Sequence, residues 1–190
     1  QNIPGALAQI AVGSSSAVWG INAAGSIYRW NASAQTWDWI PGTLSRIAAG
    51  ADGDVWGLNA QGRIWHFDPL KQTWNGITGT LAQIAVGFDG AVWGLDSANR
   101  IFRFNPGSQL FQQVPGSLTQ IAVGADGDAW GLNSSEEIYH FNPLTQSWDQ
   151  SPGWLVQISA GSASNVWGVN ASGDVYQFST QTQSWVGRAG

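Results

Sequence analysis

Arg29, His66, Arg103 and His140 recur at a spacing of 37 residues in a chain of 190, and Gln177 continues the series. A second series at the same spacing reads Asp38, Asn75, Gln112, Asp149 and Val186, an acceptor in all but the last. A third, Trp37, Trp74, Phe111, Trp148 and Trp185, is aromatic throughout. Flat rings beside paired donors and acceptors suit a sugar. Its C–H face stacks on a ring while its hydroxyls exchange hydrogen bonds in both directions. The plainer reading is that Arg29–Asp38 and His140–Asp149 are cross-strand pairs on a solvated rim, each worth about a few tenths of a kcal/mol. The candidate sugar-contacting set is Arg29, Trp37, Asp38, His66, Trp74, Asn75, Arg103, Phe111, Gln112, His140, Trp148, Asp149, Gln177 and Trp185.

Other chemistries fit less well. His66 and His140 hold the same place two repeats apart, so no His-based nucleophile or metal constellation forms in a closed ring of repeats. Glu136 and Glu137 replace ordinary turn residues and are expected in solvent. The segments "ADGD" at 51–54 and 125–128 lack the oxygen ligands of an ordered calcium loop and read as hairpin turns. No Ser–His–Asp order or phosphate-binding Gly loop is present, and nothing singles out the two carboxylates about 5–10 Å apart that a glycosidase needs. With no cysteine, thiolate metal sites and disulfides are excluded. No enzyme activity, metal or cofactor is expected. A net charge of −5 without a basic stripe argues against nucleic acid. The first residues, "QNIPGALAQI", do not read as a signal peptide, and no apolar run reaches the ~18 residues of a membrane span. A soluble protein is expected, cytoplasmic or secreted without a visible signal peptide.

The elements that must position these residues follow from the repeat. Trp-Gly pairs begin at Trp19, Trp56, Trp93, Trp130 and Trp167, every interval being 37 residues. Such a period marks a repeat array. Each unit holds four short segments rich in β-formers, separated by Gly-, Asn- and Pro-containing turns, and leaves no room for a helix. Four strands per 37-residue unit point to small sheets repeated around an axis. A β-solenoid would have shorter repeats with fewer turns. The expected fold is therefore all-β: a five-bladed β-propeller with four antiparallel strands per blade. It forms one domain, 1–190, with repeats near 5–41, 42–78, 79–115, 116–152 and 153–190. Both ends fall at the same phase of the repeat, as in a ring whose ends meet.

Reading the first two turns of a unit as four residues each sets the register. Val12 then faces Trp19, and Trp19 faces Trp30. One face gathers Ile10, Val12, Trp19, Ile21, Tyr28, Trp30 and Trp37. The other gathers Ala11, Gly13, Val18, Gly20 and Ile27, with Gln9, Asn22, Arg29 and Asp38 as polar members. Large-into-small packing of such faces would fill the space between blades. On this reading the repeated Trp is a packing knob, and Gly20 leaves a hollow for the neighbour's ring. The sugar site lies farther out, where the Arg/His series meets the next blade's outer aromatic. The row Asn22, Asn59, Asp96, Asn133 and Asn170 is expected to cap the second turn.

The pattern "L-x-Q-I-A-V-G-x(4)-V-W-G-L-N-x(4)-I-Y-x-F" resembles the tectonin repeat of β-propeller lectins, and the resemblance covers all five units. It implies a carbohydrate-binding propeller with sugar sites between adjacent blades; several such lectins carry six repeats, so five is a departure. The expected function is a non-catalytic, multivalent lectin whose partners are glycans on cell surfaces or glycoproteins. A homo-oligomer is a further partner expectation. The competing reading is a protein-interaction propeller without sugar binding.

Overall fold

The computed structural model describes residues 5–88 and 90–188. Asp89, the centre of one of the three Asp-Gly turns, lies outside them. The described chain forms five sheets of four antiparallel strands, each in simple sequential order. In blade 1 these are β1 (Gln9–Ser14), β2 (Ala17–Ile21), β3 (Ser26–Asn31) and β4 (Thr36–Thr43). The fold is the expected all-β, five-bladed propeller. Among the described residues no helix is long and apolar enough to cross a membrane.

The register differs from the expectation by one residue at two turns. In blade 2 Ala49 pairs with Val55, and Gly50 N–H bonds to the Asp54 carbonyl. The turn is therefore the three residues Ala51, Asp52 and Gly53, with Gly53 at φ 87°. A three-residue hairpin loop with glycine in the left-handed region is a common solution, and miscounting it by one inverts a strand's faces. The second turn is likewise three residues, Ala60, Gln61 and Gly62. The two errors cancel for β1 against β3 and β4, but they leave β2 inverted. In blade 1, Ala11, Trp19, Arg29 and Asp38 stand side by side across the sheet. Trp19 and Ile21 thus share the face of Arg29, while Ile10, Gly20 and Tyr28 lie on the reverse. Opposition of Trp30 to Trp37 across β3 and β4 is as expected.

The packing role of the central Trp holds. Trp56, Trp93 and Trp130 are 1% exposed and Trp19 3%. Each meets two rings of the following blade: Trp93 lies 4.6 Å from Phe141 and 5.4 Å from Trp148. The hollow at Gly20 is filled differently from the expectation. A Cβ at Gly57 would strike Leu44 of its own blade. That leucine lies on the linker entering the blade, and it joins the cluster built on Trp19 of the blade before. Its N–H also donates to the Gly25 carbonyl of that earlier blade, a bond repeated by Leu81, Leu118 and Leu155. Near the axis the blades approach backbone to backbone: a Cβ at Gly50 would overlap the Gly87 carbonyl. Glutamines clamp the same interfaces. Gln9 donates to the Ile47 carbonyl at 3.0 Å and accepts from the Ile47 N–H at 3.2 Å.

This interface forms four times, not five. Four core clusters join successive blades. Among the described residues, by contrast, Trp167 of blade 5 is 37% exposed and Ile10 of blade 1 is 57% exposed. Among the described residues blades 1 and 5 do not form this interface. Four tight backbone approaches set the turn per blade.

Removing the knob at a central interface by Trp93→Ala is expected to cost about 3–5 kcal/mol in urea denaturation, the usual range for a core aromatic. Gly50→Ala should cost about 1–3 kcal/mol by overpacking, whereas Gly161→Ala, whose Cβ would meet only Asn165 of its own turn, should cost clearly less. Equal losses at the two glycines would contradict the backbone-contact account.

Candidate functional site

The donor and acceptor series meet as expected. Arg29 pairs with Asp38, His66 with Asn75, Arg103 with Gln112, His140 with Asp149 and Gln177 with Val186. All lie on the blade face that looks toward the next blade. There they surround the edge of the central Trp: Arg29 lies 5.8 Å over Trp19, and Arg103 lies 5.3 Å over Trp93 and 5.7 Å over Phe141 of the next blade. The outer aromatics also come to this groove, but they stand edge-on against the central Trp as part of the packing. Trp74 is 6.1 Å from Trp19 at 74°, and Trp185 is 5.7 Å from Trp130 at 81°.

The two histidines are not poised donors beside Asn75 and Asp149. Each stacks on its own central Trp, His66 at 4.3 Å and His140 at 4.1 Å, nearly parallel. Their Nε2 atoms bond to Asp54 and Asp128, on the first turn of the same blade. The same carboxylates accept the indole N–H of Trp56 at 2.6 Å and Trp130 at 2.7 Å. In blades 2 and 4 one Asp therefore fixes a Trp edge and a His ring together. Burial pushes the Asp54 carboxyl up, but the bonds from His66 and Trp56 outweigh it and hold the group below the usual carboxylate range. Ala91 occupies the equivalent place in blade 3, and the buried Trp93 Nε1 has no partner among the described residues. The acceptors are also engaged. Asp38 accepts from Asn31 at 3.0 Å and Asp149 from Asn142 at 2.8 Å, both within their own blade.

The groove has two compartments. At the polar end, Gln146 of blade 4 closes a cavity of about 570 Å³ lined by Arg103, Gln112 and Gln113 of blade 3. Sequence reasoning missed this glutamine, although Gln35, Gln72, Gln109, Gln146 and Gln183 are identical in all five units. All five have positive φ, 50–57°. In four of them the side-chain amide donates to the backbone carbonyl three residues earlier, which offsets the strain. Gln72 also accepts from Arg29 of the preceding blade at 3.2 Å.

At the linker end lies an aromatic compartment. Between blades 1 and 2 a cavity of about 350 Å³ is walled by Trp65, Trp74 and Pro41, with Asn59, Gln72 and Thr73 as polar members. Between blades 4 and 5 its counterpart, about 520 Å³, has Tyr176, Trp185 and Trp154, with Asn170, Ser172 and Ser184. The row Tyr28, Trp65, Phe102, Tyr139 and Tyr176 was also missed, though it is aromatic in every unit. The Asn22 row caps turns as expected, Asn22 Oδ1 accepting from Ala24 N–H at 3.0 Å and Ser26 N–H at 2.9 Å. Glu137, expected in solvent, is half-buried and accepts from Asn133, Tyr139 and Gln150. Among the described residues no three His, Cys, Asp or Glu groups gather as metal ligands.

A family model, the Tectonin domain, matches residues 1–73 and 67–189. No curated protein matches in sequence. Solved structures match in fold at low identity. YCF48 bound to D1 peptide aligns at TM-score 0.68 and 15% identity, over 96% of this chain and 67% of that one. Prp20p from Saccharomyces cerevisiae, described with its binding properties to Gsp1p and histones, aligns at TM-score 0.72 and 14% identity, over 89% of this chain and 56% of that one. Human WBSCR16 aligns at 0.65 and 12%, over 84% and 57%. The chain thus spans a little over half to two thirds of the length of these structures.

Two substitutions test the Asp–Trp–His unit. Ala91→Asp should give the Trp93 indole its missing acceptor next to Arg103, raising stability by about 1 kcal/mol. For this chain length the gain corresponds to a Tm shift of about 2–4 °C. Asp54→Asn should lose stability with a defined pH dependence. A carboxyl depressed below its ordinary 3.8 stabilises the fold above that value and ceases to do so as pH falls through the lower folded-state value. The advantage of the parent over Asp54→Asn in urea midpoint should therefore be full above about pH 4 and shrink below it.

Proposed function

Because the chain belongs to the tectonin family, we propose that it is a non-catalytic carbohydrate-binding protein that holds sugars in the grooves between adjacent blades. The observation that carries this reading is the recurrence of the aromatic compartment. Two cavities of about 350 and 520 Å³, at symmetry-equivalent places, each present two or three large rings with amide and hydroxyl groups at their rims. Ring faces supply stacking for sugar C–H groups, and Asn, Gln, Ser and Thr supply both donors and acceptors. The Arg/His series and its acceptors, from Arg29 and Asp38 to Gln177, form the polar end of the same grooves and extend the site along them. The partners are glycans displayed on cell surfaces or glycoproteins. Several weak sites on one molecule engage such a surface together, and avidity supplies the strength that one site lacks.

A second reading has an observation in its favour. Leu70 and Leu144 stand at the tips of the same turn in blades 2 and 4, 95% and 94% exposed. Of the structures of like fold, YCF48 is bound to D1 peptide, and Prp20p is described with its binding properties to Gsp1p and histones. On that reading the propeller docks a protein partner through its turns.

A glycan array with competition by free monosaccharide separates the two. The lectin reading expects concentration-dependent glycan binding that a monosaccharide displaces. It also expects Trp154→Ala, which removes a 68% exposed ring from one cavity wall, to leave the melting temperature within about 2 °C while weakening agglutination. Absence of glycan signal at high protein concentration would leave the protein-docking reading in its place.

A further inference from the structure

Two positions flank each central Trp and change together from blade to blade. The residue two places before it and the residue ten places after it read Ala17 and Arg29, Asp54 and His66, Ala91 and Arg103, Asp128 and His140, and Asn165 and Gln177. Where the first is polar it accepts the indole N–H: Asp54 from Trp56 at 2.6 Å, Asp128 from Trp130 at 2.7 Å and Asn165 from Trp167 at 2.7 Å. In blades 2 and 4 the same carboxylate also bonds the histidine ring. The fold thus has a seat for one carboxylate between the central indole N–H and the side chain beside it. Blades 2 and 4 fill that seat from their own turn.

Blade 3 keeps the donors of that seat without the carboxylate. Ala91 stands where Asp54 and Asp128 stand, and Arg103 stands where the histidines do. Trp93 is 1% exposed and its Nε1 has no partner among the described residues, an arrangement that folded chains seldom leave standing. Arg103 meets the rings of Trp93 and Phe141, and no described group accepts from its guanidinium. Ala91 and Arg103 both line the cavity of about 570 Å³ that Gln146 closes, with Asn105 and Gln112 on its wall. The carboxylates of the facing turn do not compete for Arg103. Asp128 is held by Trp130 and His140, and Asp126 accepts from the Ala163 N–H of blade 5 at 2.7 Å. The groove between blades 1 and 2 carries the same Ala–Arg pair, but there Gln72 already accepts from Arg29.

We propose that the groove between blades 3 and 4 takes its carboxylate from a ligand, a sugar acid such as a hexuronate, seated where Asp54 and Asp128 place theirs. One oxygen accepts the Trp93 indole N–H, and the other accepts from the Arg103 guanidinium. Both groups are donors with no acceptor capacity, so an ammonium finds no partner there. Bonds from a guanidinium to a carboxylate are shorter and stronger than bonds between neutral groups, and its planar fork matches the two oxygens. The cavity is of a size that holds a small ligand, and the Asn105, Gln112 and Gln146 amides offer donors and acceptors to sugar hydroxyls. That the carboxylate is carried by a sugar rests on the lectin reading; the seat itself rests on Ala91, Trp93 and Arg103. It makes one groove of the propeller selective for negative charge.

The indole N–H resonance of Trp93, identified by its loss in Trp93→Phe, reports on the seat during titration of the full chain with D-glucuronate, D-glucose or acetate. Glucuronate is expected to shift it saturably and glucose to leave it unmoved. Acetate should shift it only at concentrations about tenfold higher or more. Ala91→Asp places a carboxylate there from within, so it should keep or raise the melting temperature. The same variant should bind glucuronate about tenfold more weakly or worse, as loss of bonds to a charged group implies. Arg103→Gln should weaken glucuronate likewise while its circular dichroism spectrum stays that of the parent. An equal shift with glucose, or full glucuronate affinity in Ala91→Asp, would overturn the carboxylate seat and leave the lectin reading standing. Acetate as effective as glucuronate would overturn the sugar-acid assignment. Silence of Trp93 toward glucuronate, in a chain that binds neutral sugars on a glycan array, would overturn this inference alone. Silence toward every sugar would overturn both.

Discussion

Trp19, Trp56, Trp93 and Trp130 are each anchored in their own blade and buried against the next. This one contact orders most of what surrounds it. The ring needs a partner of large apolar area, which Phe67, Phe104, Phe141 and Phe178 provide edge-on at 4.6–4.8 Å. Its indole N–H needs an acceptor, which Asp54, Asp128 and Asn165 provide from the first turn. Its exposed edge needs a cover, which becomes an Arg or a His. The glycine after it makes room for the linker leucine that ties the blade to its predecessor. Burying a Trp removes roughly 200 Å² of largely apolar surface, so four such contacts outweigh the modest clamps and turn bonds around them.

The same contact divides the groove. Because the central Trp and the outer aromatic fill the middle, polar side chains are left at one end and the linker cavity at the other. The histidines at the polar end serve the Trp first, bound to Asp and stacked on the indole. The cavity at the linker end is walled by Trp65 or Tyr176, each half-buried against the same apolar cluster as the central Trp. On the proposed reading a ligand would find rings at the linker compartment and charges at the polar one.

Much of this was legible in the sequence, and the failures have physical causes. Blade number, strand number and the burial of Trp56, Trp93 and Trp130 follow from a period of 37 residues and the local patterns. The pairing of Arg29 with Asp38 and Trp30 with Trp37 was also readable, because it depends on a turn whose length was judged correctly. The inversion of β2 was not, because alternation carries no record of whether a loop holds three residues or four, and one residue reverses a strand. Leu44 over Gly57 could not be foreseen either; it depends on where a linker lands in space. Gln72 and Trp65 were visible as repeated residues, but their role needed the neighbouring blade. That blades 1 and 5 do not form this interface among the described residues had no sequence signal at all, since both ends repeat the same phase whether or not they meet.

The tryptophans divide their labour on the proposed reading: the central row holds blades together, and the outer groove would meet the ligand. Indole N–H resonances, assigned by single substitution and followed by NMR during titration with a panel of neutral monosaccharides, test that division directly. Shifts are expected at Trp65, Trp74, Trp154 and Trp185, with Trp56, Trp93 and Trp130 unmoved. Shifts led by the central row, or none with any sugar, would contradict it.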